Sequence, residues 1–232
     1  MKSKNGVFYL FLALTGLLFS CNIATTVHFN KDYSGTYMTV VDMSDLISMA
    51  GMADSTNSSD QSIADMRKSM DSLELEDVYN SVSGISDAKV DVSDKGVVSI
   101  GFKFDNVEAL NASFKTVQES TAEKMSGSGD ADMLPASFLG GEGQMFIREG
   151  KTITHSVDSE GLGLGDGEDS GDMDMMMNMI DYTIEFTFDR KIKSVDVEGL
   201  TILEQNSKNV KTRVDFGNFL KDGKYALSVK TK

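Results

Sequence analysis

The sequence predicts an α+β fold: an antiparallel β-sheet built from hairpins, with two main amphipathic helices packed on it. Three observations carry this. β-type runs are paired across short turns, two segments repeat apolar residues at helical spacing, and alternating strands run almost unbroken from Tyr182 to the end.

The first pair is Thr26–Phe29 and Thr36–Val41, joined across 30–35. A short helix over Met43–Met52 is expected next, ended by Gly51 and the Ser/Asn run at 54–60. Ile63, Met66, Met70 and Leu73 then fall on one helical face, as do Val107, Leu110, Phe114 and Val117, with Asp105 and Glu108 offering an N-terminal cap. Between these helices a second hairpin joins Ala88–Val92 to Val97–Phe104, and a third joins Met145–Ile147 to Thr152–His155. Tyr182, Ile184, Phe186 and Phe188 alternate with polar neighbours, as do Tyr225, Leu227 and Val229, the pattern of half-buried antiparallel strands. Two stretches, 126–143 with the sole Pro135 and 158–180, are longer than ordinary connections and read as loops within a single α+β domain over 27–232.

The opening residues have the parts of an export signal: Lys2 and Lys4, an apolar run from Val7 to Phe19, then Ser20. The run is shorter than the ~20 residues a spanning helix needs. Leu18-Phe19-Ser20-Cys21 resembles the lipobox of bacterial lipoproteins. The resemblance implies that residues 1–20 are a signal peptide and that Cys21 carries lipid on its sulfur and its freed amino group; with the polar Asn22–Thr26 after it, 21–26 reads as a short lipidated tether. Each buried methylene contributes roughly 0.8 kcal/mol, so two or three acyl chains anchor a protein durably without a spanning helix.

Cys21 is the only cysteine, so the body has no disulfide, Cys metal site or thiol nucleophile to offer. The charge of −14 becomes −16 when the two signal lysines leave, a field that repels nucleic acid. Only two histidines are present, and neither His28 nor His155 has a motif-level nucleophile partner, so no catalytic residues are expected. Trp is absent, which removes the usual sugar-stacking platform. The Gly run at 161–167 lacks the Lys-Ser/Thr ending of a phosphate loop.

One segment invites a metal reading. Asp166, Glu168, Asp172 and Asp174 form an oxygen-rich Gly loop of the kind that wraps calcium, but Met177 stands where an EF-hand needs its bidentate Glu. Met173, Met175 and Met177 in the same segment bring soft thioethers suited to Cu(I). A solvated acidic loop with a flexible apolar cover accounts for the same residues, so no metal or cofactor is expected. Asp54-Ser55-Thr56 and Asp71-Ser72-Leu73 resemble bacterial O-glycosylation acceptors.

The β-rich body, with its helices and the ending Tyr182–Lys232, resembles in pattern the uncharacterised envelope lipoproteins grouped with the LppM-type domain. That resemblance implies an envelope role with lipid or glycolipid contact and no catalytic residues. The expected protein is a non-enzymatic cell-envelope lipoprotein, tethered through Cys21, that binds a protein partner or an amphiphilic ligand. The alternative is a calcium- or copper-binding envelope module using 166–179. No acidic run follows Cys21, which places the protein on the outer membrane facing the periplasm.

Overall fold

Strict alternation sets the frame of the structure. In β1 (Cys21–Phe29) the odd-numbered residues Cys21, Ile23, Thr25, Val27 and Phe29 are buried, and in β2 (Gly35–Asp42) Tyr37, Thr39 and Val41 face the same way. A period of two puts one whole side-chain set into the core and the other into solvent. The computed structural model describes residues 21–45, 47–48, 59–125, 145–158, 180–215, 219 and 223–232.

The other strands are β3 (Ile85–Val92), β4 (Val97–Phe104), β5 (Met145–Glu149), β6 (Thr152–Asp158), β7 (Ile180–Phe188), β8 (Ile192–Glu198), β9 (Leu200–Gln205), β10 (Asn209–Val214) and β11 (Lys224–Thr231). The helices are α1 (Ser59–Leu73), α2 (Leu75–Ser81) and α3 (Val107–Met125). The expected hairpins and both main helices are present. The single antiparallel sheet is not: there are two, a seven-stranded sheet ordered β3-β4-β2-β1-β7-β10-β9 and a four-stranded sheet ordered β5-β6-β11-β8. The central pair β1·β7 is parallel, running from Cys21 opposite Ile180 to Phe29 opposite Phe188.

Two covers are needed because the larger sheet is wide. Tyr37 and Phe102, on β2 and β4, pack edge-on against Phe114 of α3. Phe186 on β7 stacks instead on Phe146 of β5, in the smaller sheet. Phe114 and Phe146 also stack on each other at 6.1 Å, so helix and small sheet share one continuous aromatic core. Gly199 turns the corner from β8 to β9, and thus from one sheet to the other. Its φ of 64° is left-handed, and a Cβ there would sit 2.9 Å from the Lys224 carbonyl oxygen.

Three further expectations are corrected. Residues 21–26 are not a tether, because their inward side chains bury and their backbone pairs on both sides. A third helix, α2, follows α1 after a break at Glu74, whose φ is 51°, and buries Leu75 and Tyr79. The cap of α3 is Asn106, whose Oδ1 accepts from the Ala109 N–H at 2.8 Å. Of the expected 43–52 helix, residues 44–45 and 47–48 are helical and the buried Met43 precedes them outside the helix; 46 and 49–52 lie outside the described residues, as do 1–20, 126–144 and 159–179.

Two sheet edges are closed by side chains from helices. Asn111 of α3 behaves as a strand of one residue: its Nδ2 donates to the Phe146 carbonyl at 2.7 Å and its Oδ1 accepts from the Phe146 N–H at 2.9 Å. On β3, the Val90 N–H donates to Glu76 and the Ala88 N–H donates to Asn80. Unpaired strand edges otherwise template pairing with other chains. Asn111→Ala leaves both Phe146 backbone groups unpaired and is expected to cost about 2–3 kcal/mol, read as a lower denaturant midpoint with unchanged slope.

Candidate functional site

Buried polar groups collect where the two sheets face each other. Thr25 of β1 lies at the centre, its hydroxyl 3.2 Å from that of Thr39 on β2 and 3.4 Å from that of Tyr182 on β7. The rings of Tyr182 and Tyr225 meet edge to face at 6.3 Å, and Tyr225 meets His155 the same way at 5.8 Å. A chain of hydroxyls therefore runs from the large sheet to an imidazole on β6 of the small one. Each member occupies an inward strand position, so alternation alone brings them together.

His155 is the outlier of this group. It is 1% exposed and stacked on Phe146 with ring centroids 4.4 Å apart. Among the described residues neither Nδ1 nor Nε2 has a hydrogen-bond partner, while the Tyr225 hydroxyl lies beside that of Tyr182. Leaving a buried polar atom unpaired costs roughly 1–3 kcal/mol. The sequence marked His155 as an ordinary strand residue; its position was legible there, but its burial against Phe146 and Phe186 was not.

The electrostatics of the interior are uniform. Burial pushes the hydroxyls of Tyr37 and Tyr225 well above the ordinary phenol value, and those of Tyr79 and Tyr182 upward as well. Burial drives His155 down from 6.5 to about 3. Every one of these groups is therefore neutral near pH 7, and none is poised to exchange a proton there.

Cys21 stands at one end of this interior, the first residue of β1, 6% exposed and unoxidised. Burial, and then the negative charge of Asp42, raise its thiol to about 11. At neutral pH the folded thiol is protonated and a poor nucleophile. The metal candidates Asp166, Glu168, Asp172, Met173, Asp174, Met175 and Met177 all lie outside the described residues, and so does Asp54-Ser55-Thr56. Among the described residues no group of three or more His, Cys, Asp or Glu is arranged to hold a metal ion. Ser72 lies on α1, its hydroxyl donating to the Ser69 carbonyl at 2.7 Å. His28 sits 3.6 Å from Asp189 on the partly exposed face of β1, away from the interior chain. Among the described residues no helix is long and apolar enough to cross a membrane.

The shift of His155 makes a signed prediction. Unfolded His takes up a proton below its ordinary 6.5, whereas the folded residue resists protonation until about 3. Unfolding therefore binds an extra proton between those values, and stability is lost as pH falls through that window. Integrated, the loss approaches roughly 5 kcal/mol. His155→Phe should retain its neutral-pH stability and flatten the dependence of Tm on pH between 6.5 and 3; an unchanged acid limb would mean that His155 is not the group responsible.

Comparison with known proteins is sparse. No family model matches the chain, and no curated protein matches it. Among solved structures it is similar to the NMR structure of the folded domain of LppM from Mycobacterium tuberculosis, with 9% identity and a TM-score of 0.38 over 92% of this chain and 91% of that one. This likeness is too low to carry either fold or function across.

Proposed function

We propose that this protein is a non-enzymatic lipoprotein of the bacterial envelope, held to a membrane by lipid on Cys21, whose folded body serves as a binding module. The observation that carries this reading is the place of Cys21 in the fold. The sole cysteine of the chain, the one that ends the lipobox-like Leu18-Phe19-Ser20-Cys21, is also the first residue of the first strand. With no slack between the anchoring atom and the sheet, acyl chains on Cys21 would seat the body directly against the bilayer. Among the described residues of the interior, His155 is held neutral and Cys21 protonated near pH 7, in keeping with a binding role.

Burial of the thiol also implies an order of events. A protonated sulfur packed into the end of the sheet is a poor nucleophile for a lipid donor. Lipid transfer would therefore precede the pairing of Cys21 with β2 and β7, while the strand is still extended at the membrane. A second reading concerns the ligand. The nitrogens of His155, unpartnered among the described residues, favour a polar group of a ligand entering the interior, as the head of an amphiphile would. The metal-binding alternative over 166–179 lies outside the described residues.

Mass spectrometry of the natural product should find residues 1–20 absent and Cys21 bearing thioether-linked diacylglycerol; a mature protein without acyl groups would overturn the reading. Unacylated folded protein should react with a thiol reagent at neutral pH at least roughly a hundredfold more slowly than the same protein in denaturant. For the second reading, lipid extracted from the purified protein should fall away in a His155→Phe/Tyr225→Phe double variant that melts normally, and an unchanged lipid content would remove it.

A further inference from the structure

The strand registers divide the molecule into two unlike ends. At one end lie Cys21, Asp42, Asp158, Ile180, Val214 and Lys224. At the other, the connections among the described residues are all short: 30–34, 82–84, 105–106, 150–151, 189–191 and 206–208. These turns are laced together. The Arg190 Nε donates to the Lys31 carbonyl at 2.8 Å, the Asp189 N–H to the Phe29 carbonyl at 2.9 Å, the Thr231 N–H to the Lys151 carbonyl at 2.9 Å, and the Ile192 N–H to the Ser207 carbonyl at 2.7 Å. Tyr33, with φ of 70°, anchors the centre: its hydroxyl is 2.9 Å from that of Thr231, and the guanidinium groups of Arg148 and Arg190 lie over its ring at 4.2 and 5.6 Å.

This laced end is basic on a chain of net charge −14. Its turns and their flanks carry Lys31, Arg148, Lys151, Arg190, Lys191 and Lys208, of which all but the half-buried Arg190 are exposed. Among the described residues none of the six forms an ion pair. The pairs that do form with Lys or Arg are Arg67–Asp94, Lys103–Asp87, Lys115–Glu119, Arg213–Asp181 and Lys224–Glu198, all elsewhere. The carboxylates of the laced end are Asp32, Asp105, Asp189 and Glu149. Asp32 accepts from the Ser34 hydroxyl at 2.7 Å and its backbone N–H at 3.1 Å, and Asp189 lies 3.6 Å from His28. Arg148 and Arg190 are held over Tyr33, and Arg190 also donates to the Lys31 and Lys232 backbone oxygens, so it is the four lysines that are left to solvent.

We infer that the turn end opposite Cys21 is a binding surface for an acidic polysaccharide of the cell envelope. The inference rests on the proposed membrane tether for its choice of partner. β1, nine residues long, spans roughly 30 Å from the anchoring atom to the basic end, so the cations face away from the bilayer that carries the lipid. What lies in that direction is polymer. Cations set on separate turns across an open end suit a chain with repeating negative charges, and the acidic remainder of the protein holds such a chain to this one surface. Nucleic acid carries the same repeating charge, and the choice of a polysaccharide over it rests on the proposed envelope location.

Retention of the purified protein on immobilised polygalacturonate, a polysaccharide whose only charge is carboxylate, tests this against neutral dextran and against phosphatidylglycerol vesicles. The native protein should bind the acidic polymer, release with rising salt, and leave dextran unbound. Reversing Lys31, Lys151, Lys191 and Lys208 to Glu should weaken binding by roughly tenfold or more. Reversing Lys68, Lys89, Lys95 and Lys115 instead changes total charge equally and should leave binding within about twofold. Equal loss in both variants, no retention of the native protein, or stronger binding to the vesicles than to the polysaccharide would each overturn the inference. Acylation of Cys21 is read separately by mass: a protein that is acylated but does not bind fails here alone, and one that binds but carries no lipid fails only in its tether.

Discussion

The pairing of β1 with β7 is the constraint on which the rest of the structure depends. Cys21–Phe29 lies parallel to Ile180–Phe188, joining segments more than a hundred residues apart at the centre of the large sheet. A parallel pair cannot be closed by a hairpin, so the intervening chain must travel away and return. Here it builds β2 to β4, the helices and the first half of the small sheet on the way. The same pairing fixes the direction of every other strand. It sets Cys21 at one end and the tight turns at the other, and it holds Thr25 beside Tyr182. It also seats Phe29 in contact with Phe104, Phe186 and Phe188 at ring separations of 5.1–5.8 Å, where the aromatic core is continuous.

Local pattern carried the elements, and long-range pairing decided what they became. Alternation in Tyr182–Phe188 and Tyr225–Val229, and the spacing of Ile63, Met66 and Met70, depend only on neighbours in the chain, so they are legible before any fold is known. The division into two sheets is not of that kind. Whether Phe186 meets a helix or a second sheet depends on β5 and β6, whose own short alternation is silent about which partner they face. Helix α2 was missed because seven residues with two buried side chains give too little periodicity to stand out. The polar character of Asn22, Thr25 and Thr26 makes residues 21–26 look like a tether in the sequence. Yet Cys21, Ile23, Thr25 and Val27 already alternate, and Thr25 is buried because its hydroxyl finds Thr39 and Tyr182.

The interior chain of polar groups could be seen only in part for the same reason. Inward positions for Tyr182 and Tyr225 follow from alternation, but their meeting with His155 requires the small sheet to lie across the large one. His155 then pays a desolvation cost that nothing among the described residues offsets by hydrogen bonding. A phenylalanine would fill that place beside Phe146 without the cost. Natural cores give up stability of this size mostly where a polar group has another use or an unseen partner, and this is what makes the interior a candidate site and not only a core.

Charge separates the two ends in a way that neither composition nor hydropathy could reveal. A net charge of −14 describes a protein that repels anions everywhere, yet the turns opposite Cys21 gather cations, while Asp32 and Asp189 there are engaged with Ser34 and His28. The gathering is a consequence of topology. Lys31, Lys151, Lys191 and Lys208 lie far apart in sequence, and each is unremarkable in its own turn. They converge because antiparallel neighbours of β1 and β7 must reverse at the same level, and because the backbone of one turn bonds to the next. Gathering more cations than carboxylates at one end raises the free energy of the isolated protein slightly, by self-repulsion that salt screens only in part. An anionic partner removes that penalty on binding, so the surface gains from the partner what the fold alone does not provide.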